Sequence, residues 1–384
     1  MLLDIPKDEK VYIGKVIDFK RKKEGLSIDY LIREVCSKNT YYKLQKDIVL
    51  ESEIYDRLLK KLGLYYNYQK KENISFENLW HYFHIEDWKL FELEKKNIIK
   101  QIDHKDVWQY PVYIALNNLN FDTSFDFNST MELQELLPYE YREMLSYFVI
   151  DFFYREDNGT IYASLLHISM NEFVNKVQYL FCLIKVQKYY SAVMLCEELM
   201  QNKEHRKYYL VLLAKLFIIQ EIEPAIFDEY CDELQKDNHF QGKDAFTEFS
   251  YIAGILYYKN KQYEKAWKYL LNSVKEQRYR VISFLYINHM ETMTRHKFKD
   301  KEKYLLDIKD NAIDEPMKIF IKYYQMKDNQ ESFDKLNQYL WDTCRKNTAF
   351  FYPEDIMKNI IHDELYWIAT KTNDKTKYYK FNAK

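Results

Sequence analysis

Few side chains in this sequence have the types and spacing that enzyme chemistry requires. A phosphate-binding G-x-x-x-x-G-K-[ST] loop, a G-x-S-x-G nucleophile turn, an H-E-x-x-H zinc helix and a paired cysteine motif are all absent from it. His81 and His84, followed by Glu86, could place two metal ligands on one helical face. The same segment equally fits an amphipathic helix beside Trp80 and Trp88, because a zinc site needs further ligands. We therefore expect no enzyme activity, no metal and no cofactor.

Amide, hydroxyl and ammonium groups are instead concentrated on short helices within residues 1–64. A first amphipathic helix runs through Ile13, Val16, Ile17 and Phe19 to a basic stretch and ends at Gly25. Ser27 begins a short second helix whose apolar face holds four residues, Tyr30, Leu31, Ile32 and Val35.

The third and fourth helices follow directly. Ser37 can cap a third helix from Lys38 to Gln45, in which Tyr41 and Leu44 point inward and the other face is polar and basic. A fourth helix, Glu53–Leu62, closes at Gly63.

Residues 19–64 resemble the helix-turn-helix of the Cro-type (XRE) class. The markers are Arg21-x-x-x-Gly25-Leu26-Ser27-x-x-x-Leu31 and the run from Val35 to Tyr41. In that class the third helix lies in the major groove of DNA. The resemblance therefore implies a set of DNA-contacting residues, namely Ser27, Ser37, Lys38, Asn39, Thr40, Tyr42 and Lys43.

The chemistry of these side chains agrees with that role. An Asn amide can make a bidentate contact with adenine, and Lys reaches guanine acceptors or phosphates. Two residues depart from the class: Ile28 replaces a phosphate-contacting Gln, and Gln45 replaces the Glu that pairs with Arg21. The first departure predicts a lost contact and the second a weaker internal ion pair. The alternative is a four-helix cap whose basic residues form only a solvated face.

Composition favours helices for the whole chain. Its 384 residues include only 6 Gly and 6 Pro, which leaves little turn chemistry for a multi-stranded sheet. The five cysteines form no pair motif, so we expect reduced thiols. Residues 1–64 hold 14 basic and 11 acidic residues within a net charge of −2, a mild bias that permits DNA binding without requiring it. Neither a leader peptide nor a membrane span is evident, which predicts a soluble cytoplasmic protein.

The segment Tyr251–Leu270 resembles a tetratricopeptide repeat. Gly254 and Ala266 are small where its two helices would cross, and larger residues fill the space between hairpins. Weaker copies occur at Leu180–Leu199, with Ala192 in the role of Ala266, at Phe320–Tyr339, with Ser332 in that role, and at residues 207–235, with Ala225. The predicted fold is all-α, with a helix-turn-helix domain at 1–66 and a right-handed α-superhelix of tetratricopeptide-like hairpins at 67–384.

Stacked hairpins of this kind form a concave groove lined mostly by their first helices, which commonly accommodates a peptide. The repeat spacing and the amide chemistry of Asn indicate candidate peptide-binding residues, namely Asn171, Asn175, Phe181, Lys185, Tyr251, Tyr258 and Asn288. For each of them, packing between neighbouring hairpins is the alternative.

The two segments together resemble the RRNPP family of Gram-positive quorum-sensing regulators. That resemblance implies a homodimer that binds a palindromic operator in double-stranded DNA and responds to a short signalling peptide, without a membrane partner. The C-terminal helices, including Phe350–Ile368, are a candidate dimer interface. The alternative function is a repeat-domain adaptor that sequesters a partner protein and carries a vestigial DNA-binding head.

Overall fold

The computed structural model describes residues 5–44, 46, 51–67, 76–121, 124–155, 170–274, 276–294, 315–346 and 354–382. Regular structure in these ranges is helical, apart from one isolated parallel bridge between Tyr65 and Asp106. The all-α prediction is confirmed. None of the helices in these ranges is both long and apolar enough to cross a bilayer. The chain divides into two compact units, Met1–Gln201 and Asn202–Lys384.

The first unit begins with four helices, here called the N-terminal helices: α1 (Lys7–Lys23), α2 (Ile28–Ile32), α3 (Lys38–Lys43) and α4 (Ser52–Lys61). Gly25 and Gly63 follow α1 and α4 with φ of 67° and 66°, a left-handed conformation that glycine adopts without strain. The Ser27 and Ser37 hydroxyls accept hydrogen bonds from the backbone N–H groups of Tyr30 and Thr40. These helix ends follow the sequence prediction.

The core of the N-terminal helices is mostly the predicted one. The buried apolar side chains include Ile13, Val16, Ile17, Phe19, Leu31, Tyr41, Leu44, Leu58, Leu59 and Leu62. Tyr30 and Val35 are exceptions, because Tyr30 is 65% exposed and Val35 is half-buried in the turn that follows α2. A five-residue helix has room for few inward positions, and Leu31 and Ile32 occupy them.

The described residues of the first unit form seven further helices: α5 (Glu77–Ile85), α6 (Trp88–Gln101), α7 (Tyr110–Asn118), α8 (Phe127–Gln134), α9 (Tyr139–Arg155), α10 (Phe173–Lys185) and α11 (Tyr189–Leu199). Aromatic rings fill much of this core. Trp88, for example, lies 5.2 Å from Phe121 and 5.9 Å from Phe148, measured between ring centroids. Within this unit α1 packs both on α4, which precedes residue 66, and on α8, which follows it. The domain boundary at residue 66 stays a prediction.

The second unit contains nine α-helices among its described residues: α12 (Tyr208–Ile222), α13 (Phe227–Leu234), α14 (Lys243–Lys259), α15 (Tyr263–Ser273), α16 (Gln277–Thr294), α17 (Glu315–Asp328), α18 (Phe333–Asp342), α19 (Glu354–Thr372) and α20 (Thr376–Asn382). Short 3-10 turns at Pro224–Ile226 and Asn238–Phe240 flank α13. Of the candidate dimer segment, residues 350–353 lie outside the described ranges and the rest belongs to α19.

The same tight turn joins the two helices in each of several pairs, namely α5–α6, α10–α11, α14–α15 and α17–α18. Glu86, Gln187, Lys261 and Gln330 each end a first helix with a φ between 55° and 60°. The next N–H in each case bonds back to a carbonyl five residues earlier, as in Lys188 to Leu183 at 2.9 Å and Gln262 to Tyr257 at 3.0 Å. This arrangement is a Schellman cap built on a non-glycine residue. The turns at Gln187, Lys261 and Gln330 lie within segments for which the sequence predicts a hairpin, whereas the sequence predicts none at Glu86.

Small residues permit the predicted helix crossings, with two corrections. A Cβ added to Gly254 would lie 2.7 Å from Leu270 Cγ, so α14 and α15 approach closely there. Ala192 and Ala266 are fully buried. Ser332, in contrast, is an exposed N-cap of α18, and Leu336 lies buried one turn further on. Ala225 is likewise exposed, because its turn is a 3-10 segment ahead of α13.

Candidate nucleic-acid interface

The N-terminal helices present one polar surface formed by the start of α2 and by α3, here called the α3 surface. Its exposed side chains are Ser27, Ser37, Lys38, Asn39, Tyr42 and Lys43, while Thr40 is half-buried. Tyr42 is 52% exposed, which makes an aromatic ring available beside the two lysines. Every residue expected to contact DNA is thus at least partly accessible.

The two serines and Thr40 hold the helix starts rather than pointing freely outward. The Ser37 hydroxyl lies 2.9 Å from the Thr40 hydroxyl and accepts from the Thr40 N–H at 3.1 Å. Lys38 Nζ lies 3.6 Å from a carboxylate oxygen of Asp29, and both side chains are largely exposed. This loose surface pair costs little to break, so the Lys38 ammonium can exchange Asp29 for a phosphate.

Behind the α3 surface, a buried polar cluster fixes α3 to α1. Asp18, only 8% exposed, accepts hydrogen bonds from the Tyr41 hydroxyl at 2.7 Å and from Arg21 Nη2 at 2.8 Å. Arg21 also donates to the Leu26 carbonyl at 2.8 Å. Burial, together with the bond to Asp18, raises the pKa of Tyr41 above its usual range, so the hydroxyl remains a donor.

This cluster changes what the sequence indicated for Arg21. Gln45, where the XRE class carries the pairing Glu, lies outside the described residues. Arg21 nevertheless has a close carboxylate partner, because Asp18 lies three residues earlier on the same helix. The Asp-x-x-Arg spacing was visible in the sequence, but the contribution of Tyr41 from α3 was not.

The turn between α2 and α3 is held from the other side by α4. Glu34 in this turn has a φ of 63°, which is unusual for a residue with a side chain. Arg57 and Lys61 of α4 donate to the backbone carbonyls of Glu34 and Arg33. Cations on the last carbonyls of a helix are favourable. The orientation of α3 therefore depends on contacts with both α1 and α4.

The N-terminal helices are attached to the rest of the first unit through the opposite side of α1. The ring of Tyr12 stacks on Trp108 with centroids 4.9 Å apart, and its hydroxyl donates to the Leu136 carbonyl at 3.2 Å. Two ion pairs flank this contact, Lys15 with Glu135 at 2.9 Å and Lys22 with Glu132 at 2.6 Å. None of these contacts involves a residue of the α3 surface.

The predicted peptide-binding residues of the first unit make mostly internal contacts. Asn175 is fully buried and donates to the carboxylate of Glu143 at 2.7 Å. The exposed Asn171 donates its backbone N–H to the same carboxylate at 3.0 Å. Lys185 donates to the Tyr154 carbonyl at 2.6 Å, and Phe181 is half-buried. The fully buried Glu143 thus organises the junction of α9 and α10, a role that sequence analysis did not detect.

The predicted peptide-binding residues of the second unit are also packed. Tyr251 stacks on Tyr279 with ring centroids 4.5 Å apart. The Tyr258 hydroxyl lies 2.5 Å from Nδ1 of His289. Asn288 is 3% exposed and donates to the Phe284 carbonyl one turn earlier in α16. Of these three side chains, Tyr251 and Tyr258 are half-buried and Asn288 is buried.

The histidine pair of α5 has no metal-site geometry. His81 is exposed, whereas His84 packs edge-on against Trp80 at 4.5 Å and lies 3.9 Å from a carboxylate oxygen of Glu172. Throughout the described ranges, no three His, Cys, Asp or Glu side chains are grouped so that they could hold a metal ion.

No protein-family model, no curated protein and no solved structure matches the chain. The resemblances of residues 19–64 and 251–270 to known motifs are therefore neither supported nor contradicted by a relative. For residues 19–64 the structure adds two observations: the α3 surface is exposed, and buried contacts hold α3 on the side that faces α1.

Proposed function

We propose that this chain is a sequence-specific DNA-binding transcriptional regulator of the RRNPP type, controlled by a short signalling peptide. Its N-terminal helices act as a helix-turn-helix head, and α3 reads the major groove. Asn39 contacts a base edge, and Lys38 and Lys43 contact phosphates or guanine. The helical hairpins that follow bind the peptide and mediate dimerisation in the cytoplasm.

One observation carries this proposal: Lys38, Asn39, Tyr42 and Lys43 are all exposed on α3, while Tyr41 on the same helix is buried on Asp18. A helix that is fixed from behind presents its outer side chains in a defined register, which base readout requires. Arg57 and Lys61 add to this fixation through their bonds to the backbone carbonyls of Glu34 and Arg33.

Two copies are expected because one small head buries too little surface for tight specific binding. A two-fold dimer reads two half-sites about one helical turn apart. A peptide controls such a dimer only if it binds one conformation more tightly than the other. The free energy by which it shifts the conformational equilibrium is limited by the difference between its binding free energies for the two conformations.

The test is the double variant Lys38→Ala with Asn39→Ala, analysed by genome-wide DNA enrichment and by affinity for the enriched site. We expect specific binding to fall by about 30-fold or more, since two base contacts of about 1–3 kcal/mol each are removed. Circular dichroism should show unchanged helicity, because both side chains are exposed.

The matched control is Lys96→Ala with Asn97→Ala, which removes the same two residue types from exposed positions on α6. Unchanged affinity in the control and lost affinity in the α3 variant would support the assignment. Equal affinity of both variants and the unmodified chain would refute it. A chain that enriches no discrete site would instead fit the adaptor that sequesters a partner protein.

A further inference from the structure

A buried carboxylate in the second unit is held by three donors that belong to other helices. Glu364 of α19 is fully buried. It accepts hydrogen bonds from the Thr292 hydroxyl of α16 at 2.7 Å and the Tyr323 hydroxyl of α17 at 2.8 Å. Lys327 Nζ, also on α17, lies 2.7 Å from the same carboxylate. These four residues are here called the Glu364 cluster.

The three donors form a site built for a carboxylate. Burial and the nearby Glu364 charge raise the pKa of Tyr323 well above its usual range, so its hydroxyl remains a donor. Lys327 supplies the compensating charge, and its ammonium lies 4.1 Å from the centroid of the Trp367 ring. It also donates to the Thr292 hydroxyl, which orients that group toward Glu364. An isolated buried carboxylate would be costly, but this one is paired and hydrogen-bonded.

The neighbouring Asp363 connects the same segment of α19 to α14 and α16. One of its carboxylate oxygens lies 3.5 Å from Nε2 of His289, whose Nδ1 faces the Tyr258 hydroxyl. Side chains at this edge are partly accessible: Asp363 is 30% exposed and Lys327 is 16% exposed. Asp363 and Lys327 are thus the members of this region that solvent reaches, whereas Glu364 itself is fully buried. Tyr258, one of the candidate peptide-binding residues, is connected to this region through His289.

We propose that Thr292, Tyr323 and Lys327 form a carboxylate-binding site that Glu364 fills in the free protein and that a peptide carboxylate occupies when the peptide binds. This inference rests on the proposed peptide control. Exchange of one carboxylate for another keeps the charge balance and the three hydrogen bonds. The net cost is then mainly the displacement of the middle of α19, which becomes the conformational response to the peptide.

Removal of the resident carboxylate tests the site without any knowledge of the natural peptide. The Glu364→Ala variant of the full chain removes the acceptor that Thr292, Tyr323 and Lys327 share and leaves space in its place, and formate can supply the missing carboxylate. We expect sodium formate to raise the melting temperature of this variant by about 3 °C or more over sodium chloride at equal ionic strength. The unmodified chain should show no such difference between the two salts.

The control is Glu364→Ala combined with Lys327→Met, which removes the charge that would hold formate. Loss of the formate effect in this double variant would support the proposal. A formate effect equal in Glu364→Ala, in the double variant and in the unmodified chain would overturn it. Such a result would leave the DNA-binding test of Lys38 and Asn39 untouched, so the two failures are distinguishable.

A second variant covers the case in which Glu364→Ala does not fold. Glu364→Gln keeps the shape of the side chain but removes the charge that pairs with Lys327. The probes are three alanine peptides with a blocked N-terminus: one with a central Glu and an amidated C-terminus, one with a free C-terminal carboxylate and no Glu, and one with an amidated C-terminus and no Glu. Faster hydrogen exchange in α19 with a peptide that carries a carboxylate, but not with the peptide that carries none, would support the site. The peptide that produces the effect would show whether the carboxylate comes from a Glu side chain or from a C-terminus. Equal exchange with all three peptides would overturn it.

Discussion

Gly14 sets the distance between α1 and the end of α3. A Cβ built on Gly14 would lie 2.2 Å from the carbonyl oxygen of Leu44 and 2.7 Å from its carbonyl carbon. Both are backbone atoms, so a rotamer change cannot relieve the clash. The short helix that carries the candidate DNA-contacting residues therefore rests directly on a glycine of α1.

Gly14→Ala should consequently lower the free energy of unfolding by about 1–3 kcal/mol, the usual cost of overpacking. It should also weaken operator binding, because α3 must move away from α1. Urea unfolding and operator affinity measure the two effects.

Gly25→Ala provides the comparison at the same scale. Its Cβ would meet no atom within 4 Å, but its φ of 67° strains a side-chain residue. This variant should lose about 1 kcal/mol of stability while retaining operator affinity once folded. If Gly14→Ala kept both its stability and its operator affinity, the close approach of α1 and α3 would be wrong.

At the scale of elements, the hairpins depend on how closely paired helices approach. The Cβ of an alanine at Gly254 would lie 2.7 Å from Leu270 Cγ and 2.8 Å from its Cδ2. Leu270 is fully buried and has little room to yield. The α14–α15 pair is thus the hairpin with the clearest requirement for a small residue.

Gly254→Ala is expected to destabilise the second unit by about 1–3 kcal/mol through this overpacking. Gly242→Ala in the same unit is the matched control, since its Cβ would meet no atom within 4 Å. The control should remain within about 1 kcal/mol of the unmodified chain, because reduced unfolded-state entropy opposes the loss of a favourable N-cap. The measurement is the denaturant concentration at the unfolding midpoint of Gly254→Ala and of Gly242→Ala. Equal midpoints for the two variants would contradict a tight crossing of α14 and α15.

At the scale of the whole molecule, the net charge of −2 means that DNA attraction must come from a local surface. Lys43 is exposed on α3, where its ammonium can neutralise a phosphate. Neutralised phosphates release counterions, so affinity falls with salt in proportion to the number of such contacts.

Lys43→Ala should reduce the slope of log affinity against log salt by about 1 for each bound head. Fluorescence anisotropy with the enriched operator across a salt series measures this slope. Lys96→Ala on α6 removes an exposed charge from elsewhere in the same unit and should leave it unchanged. Identical slopes for both variants would show that Lys43 does not contact the DNA backbone.

Local interactions account for what could be predicted from the sequence. The ends of α1 to α4, the serine caps and the turn glycines follow from short-range hydrogen bonding and φ preference. The helical hairpins were visible because apolar residues recur with the helical period and small residues mark the crossing. The same local rules misassigned Tyr30 and Ser332, since periodicity alone does not say which turn of a short helix faces the core.

The sequence by itself therefore determined the helical class, the caps and the exposed chemistry of α3. Only the tertiary structure decided which partners the buried polar groups have. Asp18 and Tyr41 are 23 residues apart, and Thr292 and Glu364 are 72 apart, so no local pattern reveals either bond. The burial of Asn175 on Glu143 is of the same kind. A buried donor or acceptor must be paired, but the fold as a whole determines which long-range partner satisfies it.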